Sequence, residues 1–200
     1  MMKKLVSILL AGTLALSLAA CGSTSSGTAS SGSAGASSAA AETVTDPLAL
    51  LETVWGSYAE EDKFSAVGGD MTEENMVNGG PGAYSLTEAE AMDNTLAFPA
   101  ADADKIDSAA SLMHMLNANT FTCGAYHVTS ADDVSTVAAD IKDNVMQRQW
   151  VCGFPEKLLV VSVDQCVVAA FGHNEIMDTF KSKLTEAYPN AQIISEDAIA

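Results

Sequence analysis

The stretch Leu158–Phe171 decides the fold, and its sequence is LLVVSVDQCVVAAF. Two apolar runs flank the pair Asp164-Gln165, which is polar and suited to a turn. The stretch therefore predicts a β-hairpin with strands over Leu158–Val163 and Cys166–Phe171. Its first four residues are apolar at both alternating positions, which is typical of a central strand covered on both faces.

Two more strands and a helix are predicted before the hairpin. The strands span Ala109–Leu116 and Thr120–Val128, and a turn at Asn117-Ala118-Asn119 joins them. Ser130 caps the helix, and Asp133 follows three residues later, as in a capping box. Apolar residues recur along this helix at helical spacing: Val134, Val137, Ala138, Ile141 and Val145.

A further helix and a short strand are predicted after the hairpin. The helix begins at Asn174 and ends before Pro189, which cannot continue a helix. One face of this helix is apolar: Ile176, Met177, Phe180, Leu184 and Tyr188. Gln192–Ile194 adds a short strand at the edge of the sheet.

The N-terminal part of the domain contributes a helix and acidic loops. Asp46 caps the helix, Pro47 suits its first position, and Leu48–Tyr58 carries its apolar face. Glu60–Asp107 is rich in Gly, Asp, Glu and Asn, so we expect loops there with a short helical turn near Thr87–Met92. Together the elements predict an α+β fold, a two-layer sandwich with two helices on one face of an antiparallel sheet. The sheet has four strands, or five with the edge strand, and the N-terminal helix and acidic loops cover its second face.

Residues 1–21 have the organisation of an export signal. Lys3 and Lys4 precede the apolar stretch Leu5–Leu18, which is too short for a stable membrane span. Leu18-Ala19-Ala20 before Cys21 matches the bacterial lipobox, where the signal is cut before the cysteine and the thiol receives a diacylglycerol. The alternative is an ordinary signal peptide with a chance cysteine. Since two acyl chains anchor stably, we expect attachment to the outer face of the cell membrane through lipid at Cys21.

These features divide the chain into three parts. Residues 1–20 are the lipoprotein signal peptide, and residues 21–41 are the lipidated cysteine and a tether of Gly, Ser, Thr and Ala. Such a tether buries no core, and its root-mean-square reach is about 25 Å. Residues 42–200 form a single α+β domain, in which 42–106 supply the helix and acidic loops and 107–200 supply the core.

The chain is strongly acidic. It has 26 acidic and 9 basic side chains, a net charge of −17. Nucleic acid is excluded as a partner, because its binding requires basic patches. No run of 18 apolar residues occurs after the export signal, which excludes a protein with several membrane spans. A protein or peptide partner in the envelope is compatible with this charge.

Three cysteines remain when Cys21 is lipidated, namely Cys123, Cys152 and Cys166. Cysteine is often buried, and an exported protein can form disulfides, so the sequence leaves open whether all three are free or two are paired. Trp150–Pro155 has a partial likeness to the thioredoxin motif but lacks its second cysteine. Without a resolving thiol, no dithiol redox cycle is expected.

No catalytic, cofactor-binding or metal-binding residues are predicted. His114, His127 and His173 are far apart in sequence, and none has a His or Cys partner at a spacing suited to zinc. The acidic segment Asp102–Asp107 lacks the residues that a calcium loop carries at its fifth and sixth positions. Weak binding of divalent cations to the acidic surface stays open.

Part of the chain resembles a domain of small clostridial-type lipoproteins of Gram-positive bacteria. The likeness spans Asp104–Tyr188 and is carried by Lys105–Ala110 before a strand, Asp132-Asp133 at a helix start and Arg148 late in that helix. Members of this family often have a Tyr-Pro loop after the helix, where this chain has Gly153-Phe154-Pro155. The family has no assigned activity, so the resemblance implies a fold and an envelope location only.

We expect a membrane-anchored extracytoplasmic lipoprotein that serves as a noncatalytic binding or interaction module of the cell envelope. The lipobox, the tether and the lack of a catalytic set favour this function. Two alternatives stay open. One is an accessory protein for peptide export or maturation, with a thiol-linked role for Cys152. The other is an envelope enzyme with an unrecognised site, which a hollow with convergent carboxylates of perturbed pKa would favour.

Overall fold

The computed structural model describes residues 43–151 and 153–199. The predicted signal peptide, Cys21 and the tether lie outside the described residues. Cys152 also lies outside them. The predictions made for these parts of the chain therefore stay predictions.

The predicted hairpin is confirmed. Strands β6 (Lys157–Val163) and β7 (Cys166–Gly172) pair in antiparallel register, with Leu158 opposite Phe171 and Val163 opposite Cys166. Asp164 in the turn has a φ of 53°. This left-handed conformation is one that Asp tolerates better than most residues, because its short side chain bonds locally.

The sheet around the hairpin is antiparallel throughout and has eight strands within the described residues. Its order is β2-β1-β4-β5-β7-β6-β8, and β3 pairs with β4 beside β1. The other strands are β1 (Ala66–Gly68), β2 (Val77–Asn78), β3 (Gly82–Tyr84), β4 (Ile106–His114), β5 (Phe121–Val128) and β8 (Gln192–Ala198). The predicted α+β class with an antiparallel sheet is confirmed, whereas the count of four or five strands is too low.

Four α-helices accompany the sheet in residues 43–151 and 153–199. They are α1 (Pro47–Gly56), α2 (Ala89–Leu96), α3 (Val134–Gln147) and α4 (Asn174–Ala187). Asp46 caps α1 as predicted, since its side chain accepts from the amides of Leu48 and Ala49. None of the helices described has the length and apolarity needed to cross a membrane.

The sheet separates two hydrophobic cores. On β6, Leu158 and Val160 pack with residues of α2 and α3, whereas Leu159, Val161 and Val163 pack with residues of α1 and α4. The prediction that the two long helices share one face is therefore wrong, because the sheet lies between two helical layers. The physical reason is that β6 and β7 are apolar on both faces, so that each face requires a helix to cover it.

The acidic region predicted as loops contains three short strands. β1, β2 and β3 are two or three residues long, which is too short for an alternating pattern to be visible in the sequence. Glycine permits their close approach: a Cβ on Gly68 would lie 2.2 Å from the backbone nitrogen of Gly82. The helical turn predicted near Thr87–Met92 is found as α2, which runs to Leu96.

Candidate interaction surface

Strand β8 forms one end of the sheet. It pairs with β6 alone, and the strand at the opposite end, β2, has only two residues. At about 3.3 Å per residue, the seven residues of β8 extend for about 23 Å. In the part of the chain that the structure describes, no strand covers the outer side of β8. Its unpaired N–H and C=O groups therefore face outward, and we call this side the β8 edge.

The β8 edge carries apolar side chains on both faces. Ile193 is 45% exposed and Ile194 is 42% exposed. Ile193 lies opposite Val161, and the register then shifts so that Ser195 lies opposite Val160. Ile194 is the extra residue of this bulge and lies on the α3 face, whereas Ile193 lies on the α4 face with Val161. The edge thus offers apolar contact above and below a strand that would pair with it.

A hollow of about 320 Å³ lies beside the β8 edge on the α3 face. We call it the α3 hollow, and it is lined by Ala131, Val134, Ser135, Ser162, Asp164, Gln192 and Ile194. Asp164 accepts hydrogen bonds from the amide of Val44 at 2.8 Å and from Nδ2 of Asn190 at 3.1 Å. Both donors are neutral, and no Lys or Arg among the residues described forms an ion pair with Asp164. Its negative charge is therefore uncompensated.

The acidic side chains near the other end of β8 are paired. Nζ of Lys181 lies 2.5 Å from Oε2 of Glu196, and Nζ of Lys142 lies 2.9 Å from Oδ2 of Asp197. The hydrogen bond from Lys181 lowers the pKa of Glu196, and that from Lys142 lowers the pKa of Asp197. Charged residues on an edge strand normally discourage pairing. Here lysines of α3 and α4 offset those charges.

A second hollow, between α3 and the short 3₁₀ helix Ala100–Lys105, is rich in carboxylates. We call it the carboxylate hollow; its volume is about 380 Å³, and its lining includes Asp102, Asp140, Asp143 and Asn144. Asp102 is only 4% exposed, and its Oδ1 accepts from Nζ of Lys105 at 2.7 Å. Its Oδ2 is buried and has no hydrogen-bond partner among the described residues.

The carboxyl of Asp140 is perturbed by this environment. Burial raises its pKa, and the nearby carboxyl of Asp102 raises it further. Lys105 acts in the opposite direction, with its Nζ 3.8 Å from Oδ2 of Asp140. The protonated form of Asp140 is therefore more favoured than that of an ordinary aspartate.

Asp107, His127 and Cys166 lie side by side on three neighbouring strands. Nδ1 of His127 is 2.6 Å from Oδ1 of Asp107, and Cys166 is directly opposite His127 in the register of β5 and β7. A carboxylate that orients a histidine, which in turn lies beside a thiol, is the arrangement that activates a cysteine nucleophile. However, Cys166 is fully buried, and burial raises the pKa of its thiol to about 12. The thiol is therefore protonated and inaccessible at neutral pH, so Cys166 does not serve as the nucleophile of this arrangement.

Cys123 and Cys166 are the two of the three cysteines that the structure describes. Both side chains are buried, and among the described residues neither forms a disulfide. Burial also raises the pKa of Cys123 well above its ordinary value. Any role of Cys152 stays a prediction.

The structure does not bring the three histidines together. His114 stacks on Phe64 with 5.7 Å between ring centroids, His127 pairs with Asp107, and His173 precedes α4. Within residues 43–151 and 153–199, no three His, Cys, Asp or Glu side chains are placed to hold a metal ion.

No family model, no curated protein and no solved structure matches this chain. The resemblance to small clostridial-type lipoproteins therefore stays a prediction.

Sequence reasoning placed a short edge strand at Gln192–Ile194 but missed its full length. Ser195, Glu196 and Asp197 are all polar, so no alternating pattern marks this part of the strand, and only the pairing of Ser195–Ala198 with Val160–Lys157 identifies it. The carboxylate hollow was missed because Asp102 and Asp140 are far apart in sequence. The sequence did contain one indication of this hollow, since Asp140 and Asp143 are three residues apart and therefore lie on one face of α3.

Proposed function

We propose that this chain is a lipid-anchored binding module on the outer face of the cell membrane, and that it engages a protein or peptide partner without catalysis. The observation that supports binding is the β8 edge, a seven-residue strand with one unpaired side and two exposed isoleucines. Partners that add a strand to such an edge gain affinity from main-chain hydrogen bonds and specificity from neighbouring hollows.

The anchor rests on the lipobox before Cys21 and on the tether at 22–41. A tether of only Gly, Ser, Thr and Ala, with no charged residue, is expected to keep the domain near the bilayer. The acidic surface disfavours contact with anionic lipid, which leaves the domain available to partners in the envelope.

Site-specific photo-crosslinking in intact cells tests the binding face. A photoreactive residue replaces one of three residues in turn. Ile193 lies on the β8 edge, Val151 is 75% exposed in a loop away from it, and Glu52 is on the exposed side of α1. We expect discrete adducts from position 193 and none from position 52. Adducts from position 151 alone would contradict the β8 edge as the binding face, and no adduct from any position would contradict the binding function.

A second candidate function is an envelope enzyme that uses the carboxylate hollow. The specific observation is the pair of close carboxyls at Asp102 and Asp140, one with a raised pKa. Asp102 is tied to Lys105 and closed to solvent, so only Asp140 is able to touch a substrate. This limits the pair to proton transfer through Asp140. A carbon-13 titration in which the Asp140 carboxyl shows no raised pKa would remove this candidate.

A further inference from the structure

We infer that the partner strand at the β8 edge is an extended basic segment, with an apolar side chain directed toward the α3 hollow and a Lys or Arg near Asp164. This inference rests on the proposed function, because it specifies the chemistry of the partner at the same edge.

The backbone of β8 requires an extended partner. The outer N–H and C=O groups of Gln192–Ala198 are spaced for a β-strand, and an edge of about 23 Å accommodates a segment of about seven residues. Main-chain pairing is independent of sequence, so the selectivity has to come from the side chains around the edge.

The α3 hollow sets the apolar part of the selectivity. Val134 and Ile194 form its apolar wall, and Ser135, Ser162 and Gln192 give it a polar rim. Side chains on one face of a strand recur every second residue. A partner strand beside Gln192–Ile194 therefore directs alternate side chains over this hollow, and apolar ones cover the exposed surface of Ile194.

Asp164 sets the basic part of the selectivity. Asp164 is one of the residues that line the hollow, and its carboxylate accepts hydrogen bonds only from two neutral donors, the amide of Val44 and Nδ2 of Asn190. Asp132 and Asp133 directly follow Ala131 in the chain and form no ion pair among the residues described, although the charge of Asp133 contributes to the raised pKa of Lys105. A cationic side chain that comes close to Asp164 gains Coulomb attraction from its carboxylate.

Charge also disfavours a second copy of this chain as the occupant. Each chain carries a net charge of −17, so two copies that approach edge to edge repel each other. A basic partner meets attraction where a second copy meets repulsion.

Peptide binding to the full-length protein in detergent solution tests this inference. The probe, called the Val-Lys peptide, is a labelled, N-acetylated and C-amidated decapeptide of the repeat Val-Thr-Lys-Thr, which places Val and Lys on one face of a strand and Thr on the other. Its counterpart has Glu in place of each Lys. We expect fluorescence anisotropy to show at least tenfold tighter binding of the Val-Lys peptide. Its affinity should also fall as NaCl is raised, because exposed charges are screened.

Two matched variants locate the binding. Ile194→Lys places a cation at the α3 hollow, whereas Ile193→Lys places the same cation on the opposite face of the same strand, at nearly equal exposure. We expect Ile194→Lys to weaken binding of the Val-Lys peptide at least tenfold, and Ile193→Lys to change it less than threefold. If Ile194→Lys does not retain the wild-type melting curve, Gln192→Lys at the same hollow replaces it.

Three results would overturn the inference. They are equal binding of the two peptides, equal effects of Ile193→Lys and Ile194→Lys, and a dimer in sedimentation analysis that Ile194→Lys dissociates. Crosslinks from position 193 in cells, combined with any of these results, would leave the proposed binding function standing and reject only the basic partner.

Discussion

Ile141 and Leu184 offer a direct test of the two separate cores. Both side chains are fully buried, but Ile141 on α3 belongs to the core shared with α2, whereas Leu184 on α4 belongs to the core shared with α1. Truncation of either residue removes buried methyl groups and leaves a cavity. We therefore expect Ile141→Ala and Leu184→Ala each to lower the free energy of unfolding by about 2–5 kcal/mol.

The double variant distinguishes a sheet with two covered faces from a single core. The two side chains share no packing partners in the described cores, so their effects should add within about 0.5 kcal/mol. Urea unfolding of the wild type, both single variants and the double variant provides the complete cycle. Where the double variant is too unstable to measure, Ile141→Val replaces Ile141→Ala at a cost of about 0.5–1.5 kcal/mol. A coupling above about 1 kcal/mol, or a single effect below about 0.5 kcal/mol, would refute the assignment of the cores.

Three further perturbations test particular sites. The pKa of Asp140 is raised in the folded state, so its ionisation opposes folding, and the wild type loses stability as pH rises from about 4 through that raised pKa. Asp140→Asn should accordingly unfold at higher urea concentration than the wild type at pH 7, with the gain disappearing near pH 4; a less stable variant at pH 7 would contradict this. Alkylation mapped by mass spectrometry should leave Cys123 and Cys166 unmodified in the native protein at pH 7 and modify both in urea, because both thiols are buried with raised pKa values. Fast labelling of Cys166 in the native protein would contradict this and would make Asp107, His127 and Cys166 a candidate catalytic set. Gly172→Ala places a Cβ 2.3 Å from the backbone oxygen of Thr120, so its unfolding free energy should fall by about 1–3 kcal/mol, and an unchanged value would show that the neighbouring turn yields freely.

The central hairpin and the two long helices were predictable because their signals are local. Leu158–Phe171 carries two apolar runs around a polar pair, and α3 and α4 have apolar residues at helical spacing, so neighbouring residues suffice to identify them. Apolar residues on both faces of β6 also indicated that other elements pack against each face of the sheet. The sequence did not reveal which helix takes which face, since that depends on packing between elements far apart in the chain.

The candidate binding site was less predictable than the fold. Asp164 is recognisable as a turn residue, but the α3 hollow forms only where the β6–β7 turn, the start of α3 and the start of β8 meet. The free edge likewise depends on the strand order, which places β8 beside β6 and leaves its other side unpaired. Three-dimensional contacts of this kind have no local signature, whereas the predicted lipobox at Cys21 is a hypothesis that a contiguous motif suffices to raise.

Membrane attachment of the Cys21→Ser variant is the measurement that tests the lipid-anchored module most directly. Cells that express the wild type or the variant are fractionated, and the membranes are washed at alkaline pH to remove peripheral proteins. The lipid on Cys21 is the only anchor expected once the signal is removed. We predict that the wild type stays with the washed membranes and that the variant is released. A variant that is processed normally and yet stays tightly membrane-bound would contradict the account.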